Sequence, residues 1–160
     1  MIEKLTRYLR LRPTHGSEPG SPGWEASSRR LKVLVESEDM AERWAITDAF
    51  KEAGFDVAAC GGPYRLAAGS CSLVADGVCP TAAGADVIFH RFNLGDAAHE
   101  EVLVALKRTY PRTPIVVEIP EPQSKRFAQL LDGCQVVFMP VGGAALVAAI
   151  TQARERAAAR

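Results

Sequence analysis

The strongest constraint on this chain is an alternation that starts at residue 31. Short apolar runs at 31–36, 55–60, 85–90, 115–119 and 135–139 are each too short for a helix and suited to strands. Between them lie stretches with helical periodicity. In 40–53 the spacing of Trp44, Ile46, Phe50 and Ala53 predicts one helix with Trp44 and Phe50 in its core, and Gly54 stops it. Further helices are expected over 97–110, where Pro111 ends the run, over 124–131 with Ser124 as N-cap, and over 143–156. Residues 61–84 break the rhythm: they hold glycines, prolines and cysteines and read as irregular.

Strands that alternate with helices predict a parallel sheet with helices on both faces. Right-handed crossovers then favour a doubly wound, flavodoxin-like α/β fold of five strands in the order 2-1-3-4-5. In such sheets ligands meet the carboxyl ends of the strands, so the informative segments are 36–39, 60–63, 90–93, 118–122 and 139–143. The first of these, Glu36-Ser37-Glu38-Asp39, carries three carboxylates and opposes an anionic phosphate, which argues against a flavin phosphate loop. Neither GxxxxGK[ST] nor GxGxxG occurs. No nucleophile has an evident base and orienting acid, so an enzyme is not expected. Gly142-Gly143 offers backbone donors for an anion, although a helix start that needs a tight turn is the commoner explanation.

Ahead of this unit, residues 1–12 are an amphipathic candidate helix. Ile2, Leu5, Tyr8 and Leu9 share one face, and Lys4, Arg7, Arg10 and Arg12 cover much of the rest. About 12 residues form a marginal helix alone in water, so this face is expected to bind a partner protein, an anionic membrane or its own domain. Residues 13–30 are rich in Pro, Gly and Ser and predict a flexible linker holding Trp24, with 31–160 as the folded domain. Net charge is formally zero, which gives no basis for a nucleic-acid partner. No apolar run approaches the roughly 20 residues of a membrane span, and the first residues lack a signal-peptide core. A cytoplasmic protein is expected; a homodimer stays open.

The alternating unit resembles a response-regulator receiver domain, the CheY-like variant of the flavodoxin-like fold. The resemblance spans about residues 31–156. It rests on LKVLVESED, KEAGFDVAAC, ADVIFHRF, RTPIVVEIP and VVFMP in that order. It implies a phosphorylation pocket at the strand ends, and this sequence departs from it almost everywhere. Glu36 matches the first magnesium-binding acid, but Ser37 stands at the second. Arg91 stands at the phospho-accepting aspartate, Ile119 at the switch hydroxyl, and Met139 at the lysine that precedes Pro140. Arg91 cannot carry an acyl phosphate, and a divalent cation needs more oxygen ligands than remain. A non-catalytic signalling or adaptor module that binds a protein is expected. Arg91 is expected either to pair with Glu36 across strands 1 and 3 or to be solvated.

The rival expectation is a metal-binding or redox-sensing domain. Cys60, Cys71 and Cys79 lie between strands 2 and 3 at separations of eleven and eight residues, with His90 as a candidate fourth ligand for zinc or an iron–sulfur cluster. The bland alternative is packing, because free Cys is often buried. Cys134, before strand 5, belongs to the opposite end of the sheet. His15 in the linker and His99 on a helix read as solvated.

Overall fold

In the computed structural model, Trp24, residues 29–65 and residues 71–160 are described. The expected helix 1–12, most of the linker 13–30, and His15 lie outside the described residues. Five strands form one parallel sheet: β1 (Lys32–Ser37), β2 (Asp56–Cys60), β3 (Val87–Arg91), β4 (Ile115–Pro120) and β5 (Gln135–Met139). Their order is β2-β1-β3-β4-β5, the expected doubly wound topology. The helices are α1 (Met40–Glu52), α2 (Ser72–Asp76), α3 (Pro80–Ala83), α4 (Ala97–Thr109), α5 (Glu121–Ser124), α6 (Ala128–Leu131) and α7 (Gly143–Ala158).

Alternation along each inner strand divides the core in two. Val33 and Val35, Val87 and Phe89, and Val116 point to the layer of α1 and α7, where they meet Phe50, Leu146 and Ile150. Leu34, Ile88, Val117 and Ile119 point the other way, to Leu73 of α2, Ala82 of α3, Leu103 and Leu106 of α4, and Leu131 of α6. Double-sided burial is why these strands read as continuous apolar runs.

Four local expectations are corrected. Residues 61–84 contain α2 and α3, because Gly77 caps α2 in the left-handed region at φ 71° and Pro80 opens α3 where no N–H is needed. The predicted helix 124–131 is instead α5 and α6; Ser124 closes α5, its hydroxyl donating to the Glu121 carbonyl at 2.7 Å. Trp44 is not core: it is 55% exposed, whereas Phe50 is fully buried. His99 is not solvated: it is 2% exposed. Trp24 packs on the domain. Its indole N–H donates to the Thr81 carbonyl at 2.9 Å. Its ring lies so close to Gly84 that a Cβ there would sit 2.5 Å from Cδ1.

Candidate functional site

The site is built at the carboxyl ends of β1, β3 and β4. Register places Glu36 beside His90 and Ser37 beside Arg91. Consecutive residues of β3 face opposite layers, so the polar groups fall into two separate clusters.

On the α1 side, Arg91 reaches two carboxylates. One guanidinium nitrogen donates to Glu118 of β4 at 2.7 Å and the other to Glu42 of α1 at 2.8 Å. The Glu118 side chain is 1% exposed and that of Glu42 46%, so one arm is buried and the other wet. Burial pushes the Glu118 carboxyl up from its ordinary value, while Arg91 and the Val141 backbone N–H pull it back. Asp39 caps α1 by accepting from the Glu42 N–H at 2.8 Å, which fixes the turn that carries Glu42. Ser37 is fully buried, its hydroxyl donating to the Asp39 carbonyl at 3.4 Å, and its own carbonyl accepts from Arg43. A cavity of about 320 Å³ opens over this cluster, lined among others by Arg91, Asn93, Glu118, Ile119, Gln123 and Met139.

On the α4 side, His90 is fully buried and its Nδ1 lies 2.7 Å from the Glu36 carboxylate. Against an ionised carboxylate this is an Nδ1–H donor. His99 lies with Nδ1 3.0 Å from Glu38. Phe92 fills the space between the two imidazoles, stacked on His99 at 4.7 Å and edge-on to His90 at 5.0 Å. Gly62, at φ +88°, covers this stack; a Cβ there would stand 3.1 Å from Phe92 Cζ. Tyr64 adds a further edge contact to His99 and donates its hydroxyl to Asp96 at 2.9 Å. That bond holds the Asp96 carboxyl below its usual range and raises the tyrosine.

Glu36, Ser37, Arg91, Ile119 and Met139 lie at neighbouring strand ends, and neither alternative for Arg91 holds: it does not pair with Glu36, and it is not simply solvated. Arg91 and Glu36 face opposite layers, and each has a nearer partner. Sequence reasoning missed Glu118 and Glu42. The signal was present in IVVEIP, where an acid inside a strand buried on both faces requires a cation.

The rival metal reading gains no support. Among the described residues, no three His, Cys, Asp or Glu side chains are grouped to hold a metal ion. His90 is engaged by Glu36. Cys60, Cys71 and Cys79 are half-buried free thiols packed against the apolar layer, as is Cys134. Burial, reinforced by the nearby Glu36 charge, pushes the Cys60 thiol up to about 12, and burial raises Cys79 and Cys134 as well. Raised in this way, the Cys60, Cys79 and Cys134 thiols are poor nucleophiles.

No protein-family model matches the sequence, and no curated protein matches it. Solved structures do. A response regulator receiver protein from Sinorhizobium medicae aligns with TM-score 0.62 at 15% identity, over 81% of this chain and 98% of that one. A receiver domain protein from Clostridium thermocellum gives 0.61 at 16% identity, over 79% and 95%. The chemotaxis protein CheY4 of Vibrio cholerae gives 0.58 at 18% identity, over 78% and 98%. The chain therefore has the fold of response-regulator receiver domains.

Proposed function

We propose that this chain is a non-enzymatic signalling module of receiver fold that takes no phosphoryl group and acts in the cytoplasm by binding a protein. The observation that carries this reading is the Arg91 clamp. At the strand end where a receiver offers its acceptor carboxylate, this chain holds a guanidinium fixed by Glu118 at 2.7 Å and Glu42 at 2.8 Å. A guanidinium is not a nucleophile at any accessible pH, because it stays protonated. The flanking groups agree: Ser37 donates to its own backbone loop, Ile119 is buried in the core, and Met139 brings no cation to the cavity. The solved structures of like fold are named as receiver domains and a chemotaxis protein, which supports signalling as the class of work.

Surface chemistry supports a protein partner. Met40 and Trp44 lie one turn apart on α1 and are 57% and 55% exposed. An exposed Trp beside a flexible Met is a common binding anchor. The amphipathic face of Ile2, Leu5, Tyr8 and Leu9 is the second candidate contact. Incubation with acetyl phosphate and magnesium tests the core of the reading. The intact mass is expected to stay unchanged; an acid-labile gain of one phosphoryl group on Glu36, Glu42 or Glu118 would overturn it.

A further inference from the structure

Beside the receiver-like pocket, a second concavity of about 480 Å³ runs between α2 and α4. Its lining includes Val74 of α2 and Val104 of α4, which are 36% and 47% exposed. Glu100 and Glu101 precede Val104 by one helical turn, and Arg108 follows it by one turn. At these spacings the three charges and the valine share one exposed stripe of α4. None of this takes part in the pocket at the strand ends.

Two features of the stripe do nothing for a single chain. The first is Val104. A β-branched residue is a poor helix former, and at this open position it gains little burial. The second is the charge spacing. Within α4, no opposite charge stands three or four residues from Glu100, Glu101 or Arg108. Glu100 and Arg108 are about 12 Å apart along the helix axis. Among the described residues, none of the three forms an ion pair. The helix macrodipole accounts for acids at the start and a base at the end, but not for an exposed valine midway between them.

We propose that this stripe is a self-association surface: α4 of a second copy of this chain lies antiparallel against it, with the two-fold axis at Val104. The occupant follows from charge complementarity. A two-fold contact brings together residues equally spaced on either side of the axis. Glu100 and Arg108 stand four residues to either side of Val104. Glu100 of each copy therefore meets Arg108 of the other, and the pair forms twice. Glu101 faces Lys107, whose ammonium is already held by the Leu130 carbonyl at 2.7 Å, so Glu100–Arg108 is the leading pair. At the axis Val104 meets Val104 of the second copy beside Val74, an apolar centre inside a charged rim. A parallel arrangement would set acids against acids and Arg108 against Arg108, so the charges select the antiparallel one. A uniformly basic or acidic partner would match only one end of the stripe. The surface is small, which places the dimer among weak, reversible contacts. The pairing goes beyond the signalling reading and does not depend on it.

Sedimentation equilibrium of the full chain, from about 10 μM to about 1 mM, tests the pairing, with a dissociation constant on the order of 100 μM expected. Arg108→Glu and Glu100→Arg each turn two attractive pairs into repulsive ones. Each alone is expected to weaken the dimer at least about tenfold. An equimolar mixture of these two single variants is expected to return to within about threefold of the native affinity, because both pairs are again complementary across the mixed dimer. That rescue belongs to the antiparallel register about Val104. Val104→Asp sets two carboxylates at the axis and is expected to leave only monomer. All three positions are exposed, and an unchanged far-ultraviolet circular dichroism spectrum confirms folding in each variant. Four results would overturn the proposal: a native chain that stays monomeric throughout the range; a dimer indifferent to Glu100 and Arg108; weakened single variants with no rescue on mixing; or a dimer abolished by Trp44→Ala, which assigns self-association to α1.

Discussion

Replacing Arg91 by Met removes the cation from a carboxylate whose side chain is 1% exposed. The magnitude follows from how differently the two arms of the clamp are buried. Breaking a buried ion pair by deleting one partner costs about 3–5 kcal/mol. The Arg91 side chain is itself 19% exposed, and the Val141 N–H continues to support Glu118, so a loss at the lower end, about 3 kcal/mol, is expected near pH 8. The Glu42 arm is 46% exposed and adds about 0–1 kcal/mol, which Glu42→Gln isolates. Against a typical total of about 5–15 kcal/mol these differences are readable by urea unfolding. The pH dependence identifies the cause. Glu118 already titrates above its unfolded value, so it contributes stability below that value and loses it as pH rises through the folded one. Without Arg91 its carboxyl rises further. The deficit of Arg91→Met is then expected to be largest at alkaline pH and to shrink as pH falls and the carboxyl takes a proton. In the double variant Arg91→Met/Glu118→Gln most of the loss is expected to return, giving a coupling of at least about 1 kcal/mol in the double-mutant cycle. A deficit that does not change with pH, or a coupling near zero, would refute the buried-clamp account.

Three further outcomes are expected. Cys60, pushed up to about 12, is expected to react with iodoacetamide at pH 8 about a thousandfold more slowly than an ordinary thiol, as read by peptide mapping of the native protein. Gly62→Ala is expected to lower the melting temperature by several degrees, equivalent to about 1–2 kcal/mol, because φ is +88° and the new Cβ presses on Phe92; a neutral result would mean that the loop moves freely. Phe50→Ala is expected to cost about 3–5 kcal/mol in urea unfolding, and Trp44→Ala less than about 1 kcal/mol, because only the first leaves a cavity.

The sheet order was legible because every inner strand is apolar on both faces and every crossover carries a helical segment. Details failed where local and tertiary signals competed. The 3.6-residue period through Trp44 and Phe50 is genuine, but the α1 stripe that meets the sheet centres on Ile46 and Phe50, and Trp44 falls outside it. His99 looked solvated among AAHEE because the stacking ring, Phe92, and the facing acid, Glu38, come from other elements. The departures at Ser37, Arg91, Ile119 and Met139 could be read residue by residue. Their partners could not, because an ion pair between β3, β4 and α1 depends on which face each strand end presents. The cysteine spacing looked purposeful only while the fold between strands 2 and 3 was unknown. Short helices there turn the thiols into apolar filling.

The tip of β3 has a consequence for how the sheet assembles. His90 and Arg91 are neighbours in sequence, yet each is matched to an acid on the opposite layer: Glu36 for the first, Glu118 and Glu42 for the second. A slip of β3 by one residue would exchange their faces. The guanidinium would then enter the aromatic layer at Phe92, and the imidazole would meet the wider gap to Glu118. The apolar residues above them, Val87, Ile88 and Phe89, would change layers in the same slip, and the two charged steps add their own penalty. In this chain the two oppositely matched side chains at the β3 tip act as a key that favours a single alignment of the central strand.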